Sequence, residues 1–266
     1  MSVETIPVGD HLREWRRRRR MSQLDLACEA EVSSRHLSFV ETGRASPSRE
    51  MILRLAEQLE VPMRERNVLL ISAGYAPVFP ERSFDAPELA AARKAVDVIL
   101  EGLKPFPAFA LDRHWNVVAS NGALPQLFDG VAPELIAAPI NAVRVTLHPR
   151  GLAPRIVNLG EWRGHMLHRL RHQIDLTADQ TLIDLMAEVQ GYGAGSPAAR
   201  KAAGPAEMVI PFRVRIAGEV ASFLTTTMVF GSPVEVSLSE LAIESFFPAD
   251  SETDALVRRL ARLPPT

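Results

Sequence analysis

The sequence predicts a multidomain chain: an all-α domain of five short helices over residues 1–75, a linker over 76–87, and an α+β domain with an antiparallel sheet over 88–266. Three observations point there. Hydroxyl-bearing helix starts followed by apolar residues at three- and four-residue spacing recur between residues 9 and 75. Pro77, Pro80 and Pro87 then interrupt the chain among scattered polar residues. Beyond them, runs rich in Val, Phe and Thr bracket helical patches, so the period of the apolar pattern changes.

In the first domain, Gly9–Arg20 makes a helix with Leu12 and Trp15 on its inner face. Ser22 caps a second, SQLDLACEAE, which turns Leu26, Ala27 and Ala30 inward. Ser33 caps a third. Ser48 caps a fourth, in which Ile52, Leu55, Ala56 and Leu59 share one side. The fifth, Met63–Ala73, follows Pro62 and stops at Gly74. A helix from Ala86 to about Leu103 leads into the second domain. There FPAFALDR and NVVASN form two short strands around a tight turn. Helical patches follow at Glu161–Gln173 and Ala178–Gln190, and GYGAGSPAARKAAGP has the composition of a loop. MVIPFRVRIAGEVASFLTTTMVFG forms a hairpin about Ala217–Gly218, and a helix closes the chain near Ser251–Leu263. This order suggests an antiparallel sheet with helices on one side.

Hydrophobic residues make up 47% and charged residues 23% of the 266, an ordinary globular balance that permits two buried cores. Cys28 is the single cysteine, which excludes an intramolecular disulfide and suits a reducing cytoplasm. The longest uncharged run, Val220–Val234, has 15 residues, too few to span a bilayer, and no secretory signal opens the chain, so no membrane partner is expected. Residues 1–75 hold 12 basic against 11 acidic side chains, so charge totals imply no general affinity for polyanions. The local pattern matters more: five arginines, Arg16–Arg20, stand in a row. On a helix they cannot all face one phosphate backbone; one or two can, and the rest are solvated.

The third helix has an unusual outer face. With about 100° per residue, Ser34, Arg35, Ser38 and Phe39 fall within an arc of about 140°, while Leu37 and Val40 point the other way. Small hydroxyls let a helix approach a groove closely, Arg can donate two bonds to a guanine edge, and an aromatic ring can lie on a thymine methyl. Only Glu31 and Val32 separate this helix from the preceding one, the tight connection of a helix-turn-helix. Gln23, at the start of that preceding helix, points its amide toward a phosphate, and Arg44 is placed for a second phosphate contact. The plain alternative is a polar surface helix, which would not need this combination.

The stretch MSQLDLACEAEVSSRHLSFVETGRASPSREMILRLAEQLEVP resembles the five-helix, phage-repressor-like DNA-binding domain of XRE-family regulators. RERNVLLISAGYAP, PAFALDRHWNVVASN, NAVRVTLHP, GLAPRIVNLGEW and VFGSPVEVSLSELAIESFFPAD resemble the MmyB-like subgroup, in which that domain is joined to a PAS-like ligand-binding domain. The resemblance covers most of residues 9–260. It implies DNA contacts by Gln23, Ser33, Ser34, Arg35, Ser38, Phe39 and Arg44, and a pairing of Arg16 with Glu41 inside the domain. The base-reading positions hold few amides, a departure that leaves direct readout resting on Arg35. The resemblance also implies a mainly apolar cavity and an organic ligand such as a fatty acyl chain.

Trp115, Asn121, Arg144, His148, Asn158 and Trp162 occur within the second-domain phrases and are the candidate ligand contacts, Arg144 or His148 meeting a carboxylate and the tryptophans an apolar chain. Against this, a Trp is usually core and an Asn between elements often caps a helix. His165, His168 and His172 share one helix side, a spacing that can ligate a metal; a polar face or an interdomain contact is the plainer reading. No nucleophile elbow, P-loop, dinucleotide fingerprint or paired-cysteine motif is present. The expectation is a cytoplasmic, sequence-specific regulator, not an enzyme and without metal or cofactor. It would bind double-stranded operator DNA as a homodimer and sense a small apolar or fatty-acid-like ligand. A metal sensor using the three histidines, or an enzyme with a DNA-binding head, are the alternatives.

Overall fold

In the computed structural model, which describes residues 6–192, 210–231, 233 and 235–262, the main break between two compact units falls after Glu81. The first unit holds α1 (Val8–Arg18), α2 (Gln23–Glu29), α3 (Ser34–Glu41), α4 (Arg49–Gln58) and α5 (Met63–Ser72). Three of these start on serine caps. Ser22 and Asp25 form a reciprocal capping box, Ser33 Oγ accepts from the His36 N–H, and Ser48 Oγ from that of Met51. The apolar faces of all five helices meet in one core centred on Leu12, Trp15, Leu26, Leu37, Ile52 and Leu55.

All five helices end in the same backbone motif. In α2 the Val32 N–H bonds the Ala27 carbonyl and the Glu31 N–H that of Cys28, with Glu31 at φ 53°. This is a Schellman stop. The same pair of bonds turns the chain at Arg20, Gly43, Glu60 and Gly74, each with positive φ. Gly74 and Gly43 are the usual residues for that conformation; Arg20, Glu31 and Glu60 adopt it against the preference of an L side chain. Gly9 meets a different constraint: a Cβ there would lie 2.3 Å from the Val40 carbonyl oxygen, so its absence lets α1 pack directly on α3.

The second unit begins with α6 (Ala90–Gly102), then β1 (Ala108–Leu111) and β2 (Val117–Ser120). Helices α7 (Pro133–Ile136), α8 (Ala142–Leu147), α9 (Leu159–Thr177) and α10 (Gln180–Gly191) precede β3 (Phe212–Ile216) and β4 (Glu219–Val229). After α11 (Val236–Ser239) come β5 (Ala242–Pro248) and α12 (Ser251–Leu260). The loop expected at 191–205 lies outside the described residues from 193 onward. The sheet is antiparallel with order β2-β1-β5-β4-β3. Ala217 and Gly218, at φ 50° and 85°, make the two-residue turn between β3 and β4.

Two features correct the sequence reading. The central strand, β5, was not anticipated; its run AIESFFP interrupts apolar residues with Glu244 and Ser245, both buried. Helices also cover both sheet faces, not one. Ala108, Ala110 and Ile243 pack with Val96 and Leu100 of α6, whereas Phe212, Val214 and Phe223 join the core that includes Trp162, Met166 and Leu182. Alternation along β1 and β5 forces this, because neighbouring residues face opposite sides.

Candidate functional site

Glu41 sets the position of α3. Its side chain has no solvent exposure, and its two oxygens accept from Arg16 Nε at 2.7 Å and Nη2 at 2.8 Å. Gln23 Nε2 donates to Oε2 at 2.8 Å, and Arg13 Nε lies 3.7 Å away. Burial pushes this carboxyl up, but the bonds from Arg16 and Gln23 and the charges of Arg16 and Arg13 more than offset it and hold it below the ordinary glutamate range. One carboxylate thus ties α1 and α2 to the end of α3. An amide has two N–H groups, so Gln23 keeps one for another acceptor while the other fixes its orientation.

With Leu37 and Val40 buried, Ser34, Arg35 and His36 are exposed and Ser38 and Phe39 half-buried. The Arg35 guanidinium lies 5.4 Å from the Phe39 ring centroid, which steadies it along the helix surface. Ser33 spends its hydroxyl on the cap. Arg44 is exposed one residue beyond Gly43. The arginine run divides between roles. Arg16 holds Glu41, Arg19 Nε donates to the Leu59 carbonyl at 2.8 Å, and Arg18 and Arg19 stack on Trp15. Arg17 and Arg20 are exposed.

In the second unit a cavity of 270 Å³ lies between the sheet and α8 and α9. Phe109, Phe212 and Phe246 form its sheet side, the ring of Phe246 standing 5.4 Å from Phe109 and 5.8 Å from Phe212. Trp162 and Met166 supply the helix side. One polar corner breaks this surface. Arg169 Nη2 donates to Glu244 Oε1 at 2.5 Å, Thr227 Oγ1 donates to the same oxygen at 2.9 Å, and the guanidinium lies 4.8 Å from the Trp115 ring centroid. Trp115 Nε1 donates to Gln173 Oε1 at 2.7 Å. The buried Trp162 N–H has no acceptor among the described residues.

A family model described as the MmyB-like transcription regulator ligand binding domain matches residues 92–260. The chain belongs to the MmyB-like transcription regulators. A helix-turn-helix domain model matches residues 7–69 of this MmyB-like regulator. RghRB of Bacillus subtilis (strain 168), described as an uncharacterized HTH-type transcriptional regulator, is 37% identical over 83 residues, 31% of this chain. That match spans 58% of the relative's length. Among solved structures, the clp gene regulator ClgR from Corynebacterium glutamicum aligns at 26% identity over 37% of this chain and 90% of that one, with a TM-score of 0.22. An RNA-binding light-oxygen-voltage receptor aligns at 12% identity over 96% of this chain and 61% of that one, with a TM-score of 0.26. TM-scores of this size say nothing about the fold.

Of the six expected ligand contacts in this MmyB-like regulator, Trp115, Asn121 and Trp162 line the cavity. Asn121 is occupied structurally: its Oδ1 accepts from the Ala108 and Ala123 N–H groups and its Nδ2 donates to the Leu100 and Phe106 carbonyls. Arg144, His148 and Asn158 lie outside the lining. Arg144 is paired with Glu188 at 2.8 Å, the His148 ring meets Tyr192 edge-on, and Asn158 bridges to the Pro211 carbonyl. Of the histidines, His165 is half-buried against Trp162 while His168 and His172 are exposed, and no three His, Cys, Asp or Glu side chains converge among the described residues. Sequence reasoning missed Arg169 and Glu244. The signals were a carboxylate within an apolar strand and an arginine two turns along the helix from Trp162. No described helix is long and apolar enough to cross a membrane.

Proposed function

We propose that this chain is a cytoplasmic, sequence-specific regulator that reads double-stranded operator DNA with α3 as a homodimer and responds to a small apolar or fatty-acid-like molecule in the cavity. The observation that carries the reading is the division of α3. Its apolar side is locked into the core and onto Glu41, while Ser34 and Arg35 face solvent with no bulky side chain between them. Such a surface enters a major groove, with Arg35 directed at a guanine edge and Gln23 and Arg44 at phosphates on either side. A dimer would present two copies to half-sites about one helical turn apart. The ligand is bound and released unchanged; recovering a chemically altered molecule after incubation would speak for an enzyme instead.

The test is a panel of operator duplexes, each changed at one base pair. Arg35→Ala should cost roughly 1–3 kcal/mol and lose discrimination at one position only. Gln23→Ala should weaken binding to every duplex about equally. An Arg35→Ala protein that discriminates as the wild type does would exclude this arginine from base reading.

A further inference from the structure

The chemistry of the polar corner narrows the ligand. Glu244 stands on the central strand and is 4% exposed, and Arg169 reaches it from α9 with Thr227 as a third partner. Both charged side chains line the cavity, and everything around them there is apolar, amide or hydroxyl. His165, one turn before Arg169 on α9, is held below its ordinary range first by burial and then by the charges of Arg169 and His168, against an opposing pull from Glu244, so its positively charged form is disfavoured. The corner therefore carries one positive and one negative charge already matched to each other.

A third charge is poorly received in such a place. An ionised carboxylate would surrender its hydration and approach Glu244 as a like charge, while the charge of Arg169 is already balanced by that of Glu244. An uncharged head gains from both partners. The guanidinium has five N–H donors, of which three engage Glu244 and Thr227, and the carboxylate, which accepts two bonds from Arg169 and one from Thr227, has acceptor capacity beyond these three. Size sets a second limit. A cavity of 270 Å³ lies just below the roughly 300–1,000 Å³ of pockets that take drug-sized ligands, which suits a chain of medium length.

We propose that the cavity selects a medium-chain amphiphile whose uncharged head both donates and accepts a hydrogen bond, a hydroxyl or a carboxamide, over the ionised carboxylate of the same chain. The head donates to Glu244 and accepts from Arg169, and the chain runs along Phe109, Phe246 and Met166. This rests on reading the cavity as the ligand site.

Calorimetric titration of the full chain with octanol, octanamide and octanoate at about pH 8, where the acid is ionised, tests it. The expected result is that octanol and octanamide bind at least about tenfold tighter than octanoate. In Glu244→Gln the balance of charge is removed, and the preference should shift toward octanoate by about tenfold or more. Octanoate binding the wild type as tightly as octanol would overturn the head-group proposal while leaving the cavity as the ligand site. Failure of all three to bind would overturn that reading as well. If Glu244→Gln does not fold, the wild-type order of affinities decides alone.

Discussion

Replacing Glu41 by glutamine would leave Arg16 facing an uncharged amide inside the helical core. Loss of one partner of a buried ion pair costs more than the pair contributes, because the survivor stays desolvated. Glu41→Gln is therefore expected to lower stability by about 3 kcal/mol in urea unfolding at neutral pH. A pH series gives an independent check. The folded carboxyl is held below its ordinary range, so its contribution is full above the unfolded value and is lost as pH falls through the folded one. The gap between wild type and Glu41→Gln should narrow on acidification and stay constant between neutral and mildly alkaline pH. A gap that widened in acid would contradict the assignment of Arg16 to this carboxylate. At the same scale, Glu31 and Glu60 sit in a left-handed conformation that glycine adopts without strain. Glu31→Gly and Glu60→Gly should each raise stability by about 0.5–1 kcal/mol, measured as a shift in the urea midpoint.

Among elements, the contact of α1 with α3 is the least forgiving. Any side chain at Gly9 would displace the Val40 carbonyl, so Gly9→Ala should cost about 1–3 kcal/mol and loosen the helix that carries Arg35. Thermal unfolding measures the first effect and operator affinity the second. Much of this domain was legible from sequence because local chemistry and tertiary packing agree there. Ser22, Ser33 and Ser48 announce helix starts and Gly74 announces a stop, and the structure uses each one. The stops at Arg20, Glu31 and Glu60 were not announced, since packing imposes the left-handed turn on residues that do not favour it. Strand β5 was hidden for a related reason. A central strand covered on both faces loses the polar alternation that marks a surface strand, and Glu244 and Ser245 blur the apolar run that would replace it. The cavity's polar corner depends on pairing β5 with β4 and packing α9 over them, so its members could not be brought together without the fold.

For the whole molecule, regulation requires linkage between cavity and operator. A ligand alters DNA affinity only if it binds the DNA-competent state with a different affinity from the incompetent one, and the effect is reciprocal. Saturating octanol should therefore change the operator dissociation constant, and saturating operator should change that of octanol by the same factor. Unequal factors would mean that the two titrations do not report one equilibrium. Beneath this lies the claim that α3 reads base edges. The most direct measurement is an equilibrium titration of the full chain, at one fixed salt concentration, against its selected operator and a scrambled duplex of equal length. The account predicts operator binding tighter by about a thousandfold or more. Equal affinity for the two duplexes would contradict it.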